Sequence, residues 1–210
     1  MMNKRYVIFG ILLLSGLAQA QQSEGVQTES VQTPTVDPNQ SLDVLFSNKT
    51  IEARYLRDVG WFGKGRQELL LGGYLNTDNS FQFVAGLSTG VLKDATPLGS
   101  NLTFSLGGRA YITRLASPSN NVFGLGFGGG WNFSFPEKVI KLPLTLRGNY
   151  YYTPKVLTSG NDQDILDFDI VEAQLDLTKN LAGIFGVREM TVANRSLDNN
   201  WHLGIRYEFD

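Results

Sequence analysis

The sequence lacks several features on which common protein functions depend. It has no cysteine and a single histidine among its 210 residues. The absence of cysteine excludes disulfides, thiol catalysis and cysteine-based zinc sites, and one histidine excludes a metal centre built from several histidines. We therefore expect neither a metal site nor a cofactor.

Charge is also scarce, and its two signs are nearly balanced. Only 18% of the residues are charged and the formal net charge is −2, whereas roughly 25% is usual for a soluble domain. This balance gives no electrostatic reason to expect nucleic acid as a partner. Beyond the first twenty positions no apolar run reaches the 18 residues of a membrane helix, which excludes a bundle of transmembrane helices.

Residues 1–20 have the pattern of a secretory signal peptide. Lys4 and Arg5 precede an apolar stretch over residues 6–17, and an Ala-Gln-Ala sequence ends at Ala20. A positively charged N-terminal region, a short apolar core and small residues at the two positions that matter for cleavage are typical of a cleaved signal peptide. The apolar stretch of about 12 residues spans only ~18 Å as a helix, too little for a ~30 Å membrane core.

Residues 21–40 are expected to be a disordered periplasmic tail. The segment has no aromatic residue, contains two prolines, and repeats Val-Gln-Thr at 26–28 and 31–33. Such a segment buries too little apolar surface to offset its ordering entropy. We interpret it as a linker rather than as an interaction arm, and we assign residues 41–210 to a single folded domain.

From Leu42 onward apolar and polar residues alternate. In the segment from Leu102 to Ile112, for example, every second residue is apolar or small, whereas Thr103, Ser105 and Arg109 lie between them. Successive side chains of a strand point to opposite faces, so each segment has one apolar and one polar face. The period predicts an all-β protein.

The alternating segments predict a small antiparallel barrel. The predicted strands are Leu42–Ser47, Thr50–Arg57, Gln67–Asn76, Phe81–Leu92, Asn101–Leu115, Asn121–Phe133, Leu142–Thr153, Ile165–Leu177, Ala182–Ala193 and Asn200–Phe209. The connections are short and polar, including 77–80 and 194–199. Many strands exceed the common length of about 5–6 residues and suit a tilted membrane strand of about 9–11. If Asn48 and Lys49 form a bulge the count is nine. Since bacterial single-chain barrels have even strand numbers, we expect eight to ten strands and prefer ten.

The polar face is predicted to line the lumen of a transmembrane barrel of the outer-membrane type. A soluble lipocalin-like barrel would instead turn its apolar face inward. The predicted lumen charges are Glu52, Arg54, Glu68, Arg109, Arg147, Glu172, Arg188, Arg206 and Glu208. Because four acids face five arginines, we expect them to pair and to fill the lumen.

Aromatic residues gather near predicted strand ends. The aromatic girdle predicted for the membrane interfaces consists of Trp131, Phe133, Tyr150, Tyr152, Trp201 and Tyr207. The last strand alternates to an aromatic end, so Tyr207 and Phe209 are predicted to act as the signal for the outer-membrane insertion machinery. Asp210 follows Phe209 and departs from the usual aromatic terminus.

Several segments together resemble a known family. LDVLFSNKTIEARYLR, LLLGGYLNTDNSFQFVAGL, YYYTPKVLTSGNDQDILDF and GIFGVR are similar to the YfaZ family of predicted outer-membrane proteins. The likeness runs from Leu42 to Phe209, and its most distinctive part is the stretch from Tyr152 to Pro154 followed by Leu157 and acidic residues. The resemblance implies an outer-membrane barrel and supplies no catalytic residues.

Four further features are weaker candidates for chemistry. Alternation points His202 to the lumen. It is either a general base, although Gly204 stands where a His-x-Ser arrangement would need a serine, or a hydrogen-bonded histidine of the lumen or rim. Gly124, Gly126 and Gly129 match a dinucleotide fingerprint, yet they lie inside a strand, where glycine makes room for bulky side chains such as Tyr111 or Tyr151.

The two remaining candidates lie in predicted loops. Asp162, Asp164, Asp167 and Asp169, near Asn161, are interpreted as an acidic loop without EF-hand spacing, solvated or bridged by divalent ions to lipopolysaccharide. A glycine-rich loop carries Trp61, Phe62, Lys64 and Arg66, which either contact lipid or a partner or cover the barrel mouth.

These observations predict a small barrel in the bacterial outer membrane, of structural or narrow-pore type and without catalysis. Its expected partners are outer-membrane lipid, lipopolysaccharide and the insertion machinery. Two alternatives stay open: a lipid-modifying enzyme using His202, and a soluble periplasmic barrel that binds an apolar ligand.

Overall fold

The computed structural model describes residues 40–62, 65–91, 101–116, 119–136, 139–160 and 164–209. The predicted signal peptide, the predicted tail up to residue 39, Lys64, Asn161, Asp162 and Asp210 lie outside the described residues. Within the described part, no helix is long and apolar enough to cross a membrane.

The described chain consists almost entirely of β-strands. They are β1 (Gln40–Phe46), β2 (Thr50–Phe62), β3 (Gly65–Asn76), β4 (Phe81–Val91), β5 (Leu102–Ala116), β6 (Ser119–Ser134), β7 (Leu144–Thr153), β8 (Thr158–Ser159), β9 (Ile165–Asp176), β10 (Leu181–Val192) and β11 (Arg195–Phe209). A 3₁₀ turn at Lys155–Leu157 precedes the two-residue β8.

Ten of these strands close into an antiparallel barrel. The strands pair in the order β5-β4-β3-β2-β1-β11-β10-β9-β7-β6, and β6 pairs back with β5. The small β8 pairs with Phe123 and Gly124 of β6. Asn48 and Lys49 lie in the turn between β1 and β2, so they separate two strands. The predicted all-β barrel of ten strands is confirmed.

Two strand boundaries differ from the prediction by five residues, and the others lie within two residues of it. β2 continues to Phe62 rather than ending at Arg57, and β11 begins at Arg195 rather than at Asn200. The predicted connection at 194–199 is therefore wrong, because the turn before β11 consists of Ala193 and Asn194 alone. These two residues have φ values of 53° and 59°, as the two central positions of a type I′ hairpin turn require.

Large apolar side chains point outward around the whole barrel. The exposed ones on the ten barrel strands include Leu42, Phe46, Ile51, Leu71, Leu75, Phe81, Phe83, Leu87, Leu106, Ile112, Phe123, Leu125, Phe127, Tyr150, Ile170, Phe185, Trp201, Leu203, Ile205 and Tyr207. Every barrel strand contributes at least one of them. The alternate positions, which carry most of the charged residues, point inward, and most of them are buried or half-buried.

The two ends of the barrel differ. Because the strand number is even, β1 starts and β11 finishes at the same end, which we call the open end. The opposite closed end is filled by a cluster of buried apolar side chains: Leu70, Tyr74, Val84, Tyr111, Leu115, Val122, Ile165, Met190, Val192, Ala193 and Leu197. Asn76 helps to fix this cluster, since its Nδ2 donates to the carbonyl of Leu197 at 2.6 Å.

Candidate functional site: the charged barrel interior

Charged side chains from seven strands meet in the middle of the barrel. The members of this lumen network are Asp43, Glu52, Arg54, Arg109, Arg147, Asp167, Asp169, Glu172, Arg188, His202 and Arg206. Its five arginines match its five carboxylates. A buried charge is costly unless it is paired, and here the formal charges of these ten groups cancel.

Asp43 joins two arginines of the network. Arg206 donates from Nε and Nη2 to the two carboxylate oxygens at 2.6 and 2.8 Å, and Arg147 donates from Nη2 at 3.2 Å. The pair with Arg206 is bidentate, the strongest geometry for an arginine and a carboxylate. Asp43 and Arg206 lie directly opposite each other on β1 and β11, so the strand register itself sets this contact.

Glu172 on β9 is the second carboxylate shared by several cations. It accepts hydrogen bonds from Nε of Arg147 on the adjacent strand and from Nη1 of Arg54 at 3.2 Å. Nε2 of His202 lies 3.1 Å from its Oε2. Arg54 belongs to β2, which is not a neighbour of β9, so this contact crosses the lumen.

Arg54 and Arg188 share two further carboxylates, Glu52 and Asp169. Arg188 approaches Glu52 at 2.6 Å and Asp169 at 2.8 Å, whereas Arg54 approaches the same two groups at 2.8 and 3.5 Å. Strands β2, β9 and β10 are thereby tied together through side chains. Such a network fixes the distance between opposite walls, which backbone pairing alone does not.

Arg109 is held in a separate part of the network. Its Nη1 donates to Asp167 at 2.6 Å, and its guanidinium carbon lies 3.8 Å from the centre of the Tyr151 ring, within range of a cation–π interaction. The hydroxyl of Tyr111 donates to the same carboxylate at 3.1 Å. These contacts connect β5, β7 and β9.

A bulge in β9 decides which of its acids face inward. Arg188 lies opposite Asp169, but the preceding residue, Val187, lies opposite Val171, so one residue of β9 is skipped. Asp167 and Asp169 point inward before the bulge, and Glu172 points inward after it. Strict alternation would have turned Glu172 outward.

The structure places seven of the nine predicted lumen charges in this network. The exceptions are Glu68, which is exposed, and Glu208, which is half-buried. Both line a cavity at the open end, and within the described part of the chain neither joins the network.

Three members of the network were missed as lumen charges: Asp43, Asp167 and Asp169. Asp43 occupies a polar position of its strand, so alternation could have indicated it. His202, which alternation points to the lumen, does lie inside the barrel. The interpretation of Asp167 and Asp169 as part of an acidic loop is wrong, because both lie in β9 and pair with arginines. Asp164 does lie outside the strands, where it accepts hydrogen bonds from the Tyr152 hydroxyl and the backbone of Lys155.

His202 is buried inside the barrel, with 2% of its surface exposed. Its ring packs against Gly186, where a Cβ would come within 2.6 Å of Nε2. Among the described residues no serine hydroxyl lies within hydrogen-bond distance of either ring nitrogen. The contacts of His202 are therefore those of a member of the lumen network.

The predicted girdle residues lie on the outer face, but they do not all lie near strand ends. Trp131 and Phe133 are close to the end of β6, and Tyr207 and Phe209 close to the end of β11, both at the open end. Tyr150 and Tyr152 are near the end of β7, at the closed end. Trp201 lies seven residues into β11, because that strand begins earlier than predicted.

The fingerprint-like glycines form part of the barrel wall. A Cβ at Gly126 would meet Thr153 Oγ1 at 2.5 Å and the Tyr111 ring at 3.2 Å. This agrees with the steric interpretation of these glycines. In the other region singled out, Trp61 and Phe62 belong to β2 and Arg66 to β3, so they are not loop residues. The described residues hold no group of three or more acidic or histidine side chains placed to bind a metal.

A cavity of about 690 Å³ extends inward from the open end, beside the lumen network, as far as Leu70, Tyr74, Val84 and Met190 of the closed-end cluster. The fold and this interior define a small closed β-barrel that is apolar outside, charge-paired inside, blind at one end and open at the other. No protein-family model matches the chain, and no curated protein matches it.

Proposed function

We propose that the protein is a small integral outer-membrane β-barrel of structural type, with no catalytic role and an interior that blocks a porin-sized channel. The observation that carries this proposal is the outward-facing apolar surface, to which every barrel strand contributes. An exposed apolar patch of a few hundred Å² already marks a contact surface on a soluble protein. A surface that encircles a barrel suits the hydrocarbon of a membrane.

The backbone supports the same proposal. A closed barrel pairs the edges of all its strands, which a lipid-exposed backbone requires because no water is present to pair with it. Nine of the ten barrel strands are 10 to 16 residues long, enough for tilted membrane strands of about 9–11 residues. The inward burial of charge argues against a lipocalin-like barrel, which needs an apolar interior.

Location and assembly follow as parts of the proposal. The signal sequence would deliver the chain to the periplasm, and the alternating β11 with Tyr207 and Phe209 would be recognised by the outer-membrane insertion machinery. Outer-membrane lipid and lipopolysaccharide would then surround the barrel. We also propose membership of the YfaZ family, on the strength of the resembling segments alone.

Cell fractionation tests the location. We expect the protein, with its signal peptide removed, in the outer-membrane fraction. We also expect the unheated sample to migrate faster on a denaturing gel, because a closed barrel resists detergent until it is heated. Recovery of the folded protein in the soluble periplasmic extract would overturn the proposal.

Planar-bilayer recording tests the blocked interior. The apolar cluster at the closed end and the lumen network lie in series, so we expect no stable openings of porin size. Stable openings of that size in the purified, folded protein would contradict a blocked lumen, while leaving its membrane location intact.

A further inference from the structure

We propose that the open-end cavity binds a small polyhydroxylated solute carrying one anionic group, such as a sugar acid or a sugar phosphate. Its volume of about 690 Å³ lies within the range of about 300–1,000 Å³ usual for small-molecule sites. The inference concerns the interior alone, so it does not depend on the membrane location proposed above.

The anionic group is inferred from the way in which the ion pairs face the cavity. In the pairs made by Arg147, its side chain is 20% exposed, whereas those of Asp43 and Glu172 are 0% and 1% exposed. Arg206 is 11% exposed against 0% for Asp43. In these pairs the carboxylate lies behind the guanidinium, whereas in the pairs of Arg188 the order is reversed, since Arg188 is 2% exposed and Glu52 and Asp169 are 8% and 5% exposed. The part of the cavity beside Arg147 and Arg206 therefore meets positive groups, although the network as a whole is neutral.

Arg109 has the same arrangement at a second point of the cavity. Its side chain is 14% exposed and that of its partner Asp167 only 6%. An arginine has five N–H donors, and the two arginines that face the cavity most, Arg109 and Arg147, each use some of theirs on the network. The donors that face the cavity suit a carboxylate or a phosphate, which guanidinium binds in planar geometry.

The hydroxyl groups of the solute are inferred from small polar side chains on the wall that also carries Arg109 and Arg147. Strands β4 to β7 present small polar side chains to the cavity: Ser88, Thr103, Ser105, Asn132, Thr145 and Asn149. Gly86 and Gly130 lie among them, and a Cβ at Gly86 would come within 3.0 Å of Cγ of Arg109. A wall of hydroxyls and amides offers both donors and acceptors, which matches the hydroxyl groups of a sugar.

The mouth limits the charge of the solute. On β11 Glu208 lies nearer the open end than Arg206, and on β2 Asp58 lies nearer the open end than Arg54. Glu68 lies opposite Asp58 on β3. These carboxylates disfavour a solute with many negative charges, and they favour one that enters with a single anionic group towards the arginines.

Calorimetric titration of the full-length barrel in detergent tests the inference, with folding verified by heat-modifiable migration. The probes are gluconate, glucose 6-phosphate and sorbitol, which shares the hydroxyls but has no charge. We expect gluconate or glucose 6-phosphate to bind and sorbitol not to bind. The anion that binds with the higher affinity shows whether the cavity prefers a carboxylate or a phosphate.

Three variants locate the binding. Arg147→Gln is expected to weaken the anion at least about ten-fold, the effect of losing a charged hydrogen bond. Ser105→Phe leaves every ion pair in place and fills the cavity, so it is expected to abolish binding. Arg114→Gln makes the same change as Arg147→Gln on an exposed arginine of β5 away from the cavity, and it should leave the affinity unchanged.

Absence of binding by the folded wild-type barrel overturns the inference. Binding of sorbitol as tightly as gluconate overturns it too. Equal weakening by Arg114→Gln and Arg147→Gln overturns it as well. If Arg147→Gln does not fold, Ser105→Phe decides: retained affinity in this variant excludes the cavity as the site.

Discussion

Asp43 has no exposed surface and accepts hydrogen bonds from arginines of two different strands. The neighbouring positions of β1 are unremarkable in sequence, and a single aspartate in an alternating strand does not indicate how many partners it has. Its importance comes from closure, which brings β7 and β11 to the same carboxylate. Individual residues of the lumen network therefore differ in their contribution to stability according to how many strands they join.

Replacing Asp43 by asparagine tests its contribution to stability. Asp43→Asn keeps the shape of the side chain but leaves Arg147 and Arg206 without their shared counter-charge, so we expect a loss of about 3 kcal/mol in the free energy of unfolding. Denaturant unfolding of the barrel in detergent micelles measures it. The matched Asp176→Asn change concerns an exposed residue of β9 and is expected to cost less than about 0.5 kcal/mol. Equal losses in the two variants would contradict the network.

The surroundings of His202 give a prediction about catalysis. The ring lies inside the barrel against Glu172 and Gly186, where a membrane lipid has no access. We expect His202→Ala to leave the phospholipid and lipid A composition of the outer membrane unchanged when the protein is present at its normal level. A change in either lipid class at equal protein level would revive the lipid-modifying alternative.

At the scale of the elements, alternation predicted all ten barrel strands, and most of their ends lie within two residues of the observed ones. The two larger errors have local causes. In β2 the register shifts between Asp58 and Gly60, so the period breaks before the strand ends. In β11 a shift opposite Met190 and Thr191 and a run of polar residues gave the first part of the strand the composition of a turn.

Bulges also explain why the lumen network was predicted only in part. The period of two assigns faces correctly until one residue is added, and the bulge of β9 adds one between Asp169 and Glu172. Contacts across the lumen, such as that of Arg54 with Glu172, depend on closure and on the stagger of all ten strands. No local pattern of residues contains that information.

The seam between β6 and β7 gives a prediction at this scale. A Cβ at Gly128 would collide with the carbonyl oxygen of Tyr150 and lie 2.7 Å from the Cα of Tyr151, so Gly128→Ala must push the two strands apart. We expect it to lower the free energy of unfolding by about 2 kcal/mol, as overpacking does.

Gly73→Ala provides the matched control on β3, because a Cβ there would have no heavy atom within 4 Å. It is expected to change the stability by less than about 1 kcal/mol. The midpoint of denaturant unfolding measures both variants. Similar midpoints for Gly128→Ala and the wild type would show that the β6–β7 spacing is not as tight as described.

At the scale of the whole molecule, the outside and the inside have exchanged the usual roles of apolar and charged residues. The alternating pattern already predicted this exchange, because the charged residues fall on one face of each predicted strand. It did not predict that the interior is filled at one end and hollow at the other, because that difference arises from where bulky and small inward residues fall after closure.

The environment of the outer face is tested by placing a charge on it. Leu203 is 51% exposed near the middle of β11, and in lipid an arginine there is expected to cost about 2–4 kcal/mol. On a water-facing surface Leu203→Arg would change stability by no more than about 0.5 kcal/mol. Equilibrium unfolding from lipid vesicles distinguishes these cases, with Asn199→Arg, at an exposed polar position of the same strand, as the control.

The blind closed end has a consequence for how the molecule can exchange matter with its surroundings. A solute can enter and leave a cavity with a single opening only through that opening. The occupancy of the cavity therefore depends on the solute concentration on one side of the barrel and not on the difference between two sides. The barrel would then act as a receptacle rather than as a conduit. Gln40 at the start of β1 and Phe209 at the end of β11 lie at that same opening. A group attached to either residue would therefore lie next to the entrance of the cavity.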